Sequence, residues 1–185
     1  MELYPVKAIL LYIAIYILVT ALSVPGAVWL TIAGGFLFAQ PWATLYVVTG
    51  ATTGAILLFC IAKSGLGDRL LPEKGGRLER MRQGFCKQGA SYLLFLRLAP
   101  IFPFWLVNIA PAFLGVSLFT YSWTTLLGIL PGAFVYAQLG ASLDLFIAAN
   151  GGQVSLASFW SLKMQLAFFG LALLALLPVF LKRYR

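Results

Sequence analysis

The chain has 185 residues, 62% of them hydrophobic and only 10% charged, and carries a formal net charge of +8. A mean hydropathy of +0.95 excludes an ordinary soluble globular domain and points to an integral membrane protein of one domain, 1–185. With no histidine, the chain lacks the base of a Ser-His intramembrane protease and the imidazoles of a zinc protease. Cys60 lies in an apolar run and Cys86 in a polar one, a pattern that implies neither a disulfide nor a metal site. No enzymatic activity, cofactor or metal is expected.

Crossing a hydrocarbon core of ~30 Å takes roughly 20 helical residues. The first apolar run, 8–22, is slightly short and ends in a weak signal-cleavage pattern, ALS at 21–23, but is read as a span. Segment 25–40 opens with Pro25 and Gly26, contains Gly34 and Gly35, and is too short for a comfortable crossing. A second span follows at 42–62. GLGD at 65–68 matches the GxGD pattern of intramembrane aspartyl proteases, yet no second acid lies within a span, and it is read as a turn. In the polar stretch 64–88, Leu78, Met81 and Phe85 recur at helical spacing between Arg77, Arg80 and Arg82. That pattern predicts a short helix on the membrane surface, basic side toward anionic headgroups. Segment 92–114 is apolar but broken by Arg97, Pro100, Pro103 and Asn108, and further spans are expected at 119–139 and 159–181.

Basic residues decide the sidedness. Lys63, Arg69, Lys74, Arg77, Arg80, Arg82 and Lys87 cluster in the middle, Lys182, Arg183 and Arg185 close the chain, and 141–158 contains no Lys or Arg. The positive-inside rule places the middle loop and the C-terminus in the cytoplasm and 141–158 outside. These positives sit at membrane boundaries, so nucleic acid is not an expected partner. The count closes if 92–114 dips in from the cytoplasm and returns, and if 25–40 dips from the outer face. Four spans and two opposed re-entrant hairpins result; five or six plain spans, with 92–114 as a proline-kinked crossing, fit the charges less well. Pro100 and Pro103 remove backbone donors and bias Ala99 and Phe102 away from helix, which breaks such a hairpin. Re-entrant backbone is tolerated only where protein or water satisfies it.

A shift of 78 residues aligns Pro25 with Pro103, Gly50 with Gly128, Gly54 with Gly132 and Ala55 with Ala133. The dips enter from opposite faces, giving an inverted repeat: 24–63 and 89–141 as hairpin plus span, separated by the loop 64–88 and followed by the last span. Many transporters are built this way. Gly50, Gly54, Gly128 and Gly132, with Pro131 in the second copy's GILPGA, are read as helix-packing positions.

Arg97 lies ten residues beyond Lys87, about 15 Å if helical. A lone Arg near mid-membrane costs at least ~2.5–3.5 kcal/mol on insertion scales. No acid lies in any span, and Asp144 sits just beyond one on the opposite side. Three roles stay open: capping carbonyls of the broken hairpins, snorkelling to cytoplasmic lipid phosphates, or binding a substrate anion through its fork of donors. Asn108 is read as a second polar contact to substrate or as a partner of its own hairpin's backbone.

The blocks PGAVWLTIAGGFLF, GATTGAILLFCIAKSGLGDRL, FLRLAPIFPFWLVNIAPAFLGVS and GILPGAFVYAQLGASL together resemble the DedA superfamily, also called the SNARE-associated or VTT-domain family. The likeness covers 24–143, and its most specific run is F-x-R-x-x-P-x-x-P-x-x-x-x-N at Phe95, Arg97, Pro100, Pro103 and Asn108. The resemblance implies two opposed re-entrant hairpins in inverted halves and lipid transport, flippase- or scramblase-like, of undecaprenyl phosphate or phospholipid. It maps the family's hairpin arginine onto Arg97. Members that couple to ions carry acids near the first hairpin; this chain has none there, which favours uncoupled movement.

The expected protein is therefore an all-α polytopic membrane protein that moves a phosphate-bearing lipid between leaflets. Its partners are membrane lipids, and a homo-oligomer is compatible with the sequence. A bacterial inner (plasma) membrane suits a small chain with a KRYR tail. The alternatives are a small-solute or ion transporter, for which titratable groups along the path are nearly lacking, and a non-transporting scaffold with dry hairpins.

Overall fold

The computed structural model describes residues 5–66, 89–98 and 103–149, with backbone alone at 65–66 and 144–149. The expected surface residues Arg77, Arg80 and Arg82, most of the loop 64–88, Pro100 and the run 159–181 lie outside the described residues. Among those described, every element is a helix: α1 Pro5–Ala21, α2 Ala27–Leu37, α3 Trp42–Leu66, α4 Gly89–Leu98, α5 Phe104–Phe113 and α6 Leu118–Ala149. Two stretches, Trp42–Ser64 and Leu118–Leu143, are long and apolar enough to cross a membrane; the other helices are shorter.

Small residues on α3 decide how α1 lies. A Cβ on Gly50 would sit 2.9 Å from Tyr16 Cβ, and one on Gly54 would sit 2.6 Å from the Ile17 carbonyl and 2.7 Å from Thr20 Cβ. Advancing along α1 therefore advances along α3, and the two helices run parallel. The chain returns between them through α2. Tyr12 Oη donates to the Leu30 carbonyl at 2.8 Å, and Tyr16 Oη shares a 2.9 Å bond with Thr31 Oγ1. α1 and α2 are thus the two arms of one hairpin, turned at Leu22–Gly26 beside the middle of α3. Gly26, at φ 110°, supplies the left-handed backbone that opens α2.

This arrangement corrects the expected first half. A crossing at 8–22 followed by a separate dip at 25–40 requires α1 antiparallel to α3, and the observed register is the opposite. Pro25 and Gly26 form the hairpin's turn, whereas Gly34 and Gly35 lie on its second arm. Gly34 faces the Tyr12 ring and hydroxyl, and Gly35 meets the Ala137 backbone of α6, where Gly140 in turn meets the Ile32 carbonyl. α2 and α6 touch backbone to backbone because none of these glycines carries a side chain.

The second half repeats the plan. A Cβ on Gly89, at the start of α4, would sit 3.8 Å from Val116, just beyond α5, and Leu93 packs in one cluster with Ala112 and Val116. The outer ends of α4 and α5 therefore meet, and the segment folds back instead of running straight. Pro103 opens α5, and Gly115 at φ 76° follows its end. α4 runs parallel to α6, since Arg97 Cβ lies 2.5 Å from where Gly128 would carry its own. Gly50 and Gly128, aligned by the 78-residue shift, thus each receive the first arm of their own hairpin.

α3 and α6 are antiparallel: Phe59 stacks on Tyr121, while Val47, Val48 and Ala51 cluster with Ala133. The two hairpins consequently open at opposite ends of the α3–α6 pair. Two apolar clusters fill the ends, one around Phe59, Leu93 and Tyr121, the other around Tyr12, Tyr16 and Val47.

Two measurements check this packing. Gly140→Leu forces a side chain onto the Ile32 carbonyl and should destabilise by roughly 1–3 kcal/mol, a cost typical of overpacking, seen as a lower Tm in detergent. Gly132→Ala, with nothing described within 4 Å, should leave Tm unchanged or slightly raised. In a chain with Cys60 and Cys86 changed to Ser, Gly89→Cys with Val116→Cys should oxidise to a disulfide, read as loss of both free thiols. A straight helix over those 27 residues would hold the pair about 40 Å apart and leave both thiols alkylatable.

Candidate functional site at the inner hairpin

Arg97 leaves α4 one residue before its end and turns toward α6, where Tyr121, Thr125 and Gly128 form one stripe at helical spacing. Gly128 admits the Arg97 stem. Arg97 Nη2 donates to Tyr121 Oη and to Thr125 Oγ1, both at 3.0 Å. The guanidinium carbon lies 5.5 Å from the Tyr121 ring centroid, a cation–π separation. Tyr121 itself is fully buried, stacked on Phe59 with centroids 4.5 Å apart and planes 24° off parallel. Exposed Lys63 places Nζ 5.9 Å from the Phe59 centroid.

Asn108, on α5, is fully buried and reaches Arg97 only through Tyr121. The tyrosine hydroxyl points its hydrogen at the Asn108 carbonyl and Oδ1, each at a long 3.4 Å. Among the described residues, buried Arg97 Nε and Asn108 Nδ2 have no hydrogen-bond partner.

None of the five acids falls among the residues whose side chains are described, so no carboxylate in view meets the Arg97 charge. Among the described residues, the cation is held by two hydroxyls and an aromatic face. Of the residues singled out in the sequence, Arg97, Asn108 and Gly128 come together here. Pro103 stands at the α5 start, Pro131 lies within α6, and Gly132 faces no described neighbour. Tyr121, Thr125 and Phe59 were missed. Their only sequence signal was the Tyr121, Thr125, Gly128 stripe, recognisable once Gly128 is known to face Arg97.

The outer hairpin is built differently. Its contact with Gly50 is made by Tyr16, whose hydroxyl is shared with Thr31 and reaches the Ala27 carbonyl at 3.4 Å. Where the inner hairpin carries a cation, the outer one carries a neutral phenol.

Two helices long and apolar enough to cross a bilayer, flanked by paired short arms with a polar site between them, fit the class of helical membrane proteins, to which the relatives also point. The family is specific: residues 24–142 match the VTT domain, and the chain belongs to that family, within the DedA superfamily. It is 33% identical to the transmembrane protein 41 homolog of Caenorhabditis elegans, over 92% of this chain and 68% of that protein. Mouse transmembrane protein 41B is 30% identical over 98% of this chain, and the Drosophila melanogaster transmembrane protein 41 homolog 26% over 80%. The chain spans 61% of the mouse protein and 48% of the fly protein. No solved structure matches.

Tyr121→Phe keeps the stack on Phe59 but removes one of the two acceptors on Arg97 Nη2 and the donor that meets Asn108. It should cost about 1–3 kcal/mol, the penalty for stranding buried polar groups, and lower Tm. Thr125→Val, which removes one acceptor of two on Nη2, should cost less in the same assay.

Proposed function

We propose that the protein moves phosphate-bearing lipid headgroups between leaflets, with Arg97 as the residue that meets the phosphate. The single observation behind this reading is a guanidinium set among apolar helices and held by neutral hydroxyls, with no acid in contact among the described residues. A charge that costs this much to insert, and that no described side chain cancels, suits a site whose counter-ion arrives with the substrate.

The hairpin dimensions support the depth. α4 and α5, of ten residues each, are about 15 Å long, half of a ~30 Å hydrocarbon core. With the basic stretch 63–87 in the cytoplasm, α3 ends there, the α4–α5 hairpin enters from that face, and the α1–α2 hairpin enters from the opposite one. Counting the apolar run 159–181, three crossings and two re-entrant hairpins satisfy the charge rule, with the lysine-free 141–158 outside and the KRYR tail inside. The four crossings expected from hydropathy become three because α1 is a hairpin arm. Acyl chains would stay in the bilayer while the headgroup follows the α4–α6 face past Tyr121, lowering the cost of carrying charge through hydrocarbon. No acid lies in either hairpin, which supports movement down a gradient without ion coupling.

Purified protein in vesicles carrying fluorescently labelled phosphatidylglycerol provides the test, with leaflet exchange read by bleaching of the outer label. Wild type should accelerate exchange. Arg97→Ala should slow it by roughly tenfold or more, the scale of one lost charge-assisted contact, and Arg97→Lys should recover part, since Lys keeps the charge and loses the planar fork. Equal rates for wild type and Arg97→Ala would remove Arg97 from the mechanism.

A further inference from the structure

The inner hairpin holds more donors than acceptors. Arg97 has five N–H groups and no acceptor; its Nη2 is committed to Tyr121 and Thr125, while Nε is buried without a partner among the described residues. Asn108, 0% exposed, lends its Oδ1 to the Tyr121 hydroxyl and leaves Nδ2 unmet. Turning the amide over does not cure this. Nδ2 would then face Tyr121 Oη, and Oδ1 would be stranded instead. Both unmet donors adjoin the same hydroxyl, one through the guanidinium it accepts from, the other through the amide it points at.

Resting on the reading of Arg97 as the phosphate contact, we infer that Arg97 Nε and the Asn108 amide together form one subsite for a phosphate oxygen, and that Tyr121 latches it shut. Neither donor is accessible in the arrangement observed, so the oxygen is admitted only as α5 moves off α6. The bonds that this movement breaks are the weakest of the site: 3.4 Å from Tyr121 to Asn108, against 3.0 Å from Arg97 to Tyr121 and to Thr125. At this latch α4 is tied to α6 through Arg97, while α5, packed on α3 through Ala112, meets the Tyr121 hydroxyl only through the long bonds of Asn108. Tyr121 and Thr125 are positioning residues: they hold Nη2 and leave Nε uncommitted among the described residues. The incoming oxygen satisfies donors that the closed form leaves stranded, and opening is favoured by the ligand that needs it.

Asn108→Asp separates this from a structural role. A carboxylate there accepts from Tyr121 at least as well as the amide and pairs with Arg97, so Tm should hold or rise. It also cancels the cation, removes the amide donor and tightens the latch, so labelled phosphatidylglycerol exchange should fall by about tenfold or more. Asn108→Leu, close in volume, lacks both donor and acceptor and should lower Tm and also slow exchange about tenfold. If Asn108 only supports the fold, exchange should instead follow stability, with Asn108→Asp at the wild-type rate. Exchange within twofold of wild type in either variant, while Arg97→Ala remains slow, overturns the subsite and leaves the lipid-transport reading standing. Arg97→Ala at the wild-type rate overturns the transport role of Arg97 and the subsite with it.

Discussion

A guanidinium set among apolar helices must be satisfied or it pulls the fold apart, and the inner half of this protein is arranged around that demand. Arg97 is met by hydroxyls one helical turn apart on α6 and by the face of an aromatic ring. The solution ties α4 to α6 and, through Tyr121, touches α5 and α3 as well, because the same ring stacks on Phe59 and the same hydroxyl reaches Asn108. Among the described residues, the acceptors that orient the cation are neutral. A carboxylate partner would have produced a tighter structure with nothing left to offer a ligand.

Close approach of backbones makes that geometry available. Gly128 lets the Arg97 stem lie against α6, and Gly50 does the same for Tyr16 against α3. Without a hydrophobic driving force between helices in lipid, packing of this kind supplies the association. The two glycines are related by the internal repeat, and the repeat is inverted because α3 and α6 run in opposite directions. The halves share a scaffold and differ in chemistry, since a phenol stands where the other half has a cation. The outer hairpin is closed by neutral hydroxyls, Tyr12 to the Leu30 carbonyl and Tyr16 to Thr31, with Thr20 Oγ1 and Ser23 Oγ unmet among the described residues, while the inner one leaves nitrogen donors unmet, Arg97 Nε and Asn108 Nδ2.

Much of this was legible in the residues. Arg97 stands out because a cation is costly in apolar sequence, and Pro103 marks a helix start because proline tolerates little else there. The fold-back of 92–114 followed from charge placement, which constrains which ends share a side. The direction of 8–22 relative to α3 was not legible. Hydropathy measures whether a helix tolerates lipid, and an arm that turns back tolerates it as well as a span does. Only the contacts of Gly50 and Gly54 with α1 reveal the parallel register. Tyr121 and Thr125 were equally silent, for a hydroxyl in an apolar helix signals nothing until its partner is known.

The sequence by itself determined the solvent, the helical class, the repeat, the family and the one charge that had to be accommodated, because each of these is written in composition, spacing or order. Tertiary structure alone decided which way α1 runs, which hydroxyls receive Arg97 and which donors are left over. Those depend on distances between residues far apart in the chain, and a spacing of 24 or 28 residues between Arg97 and its acceptors carries no periodic trace.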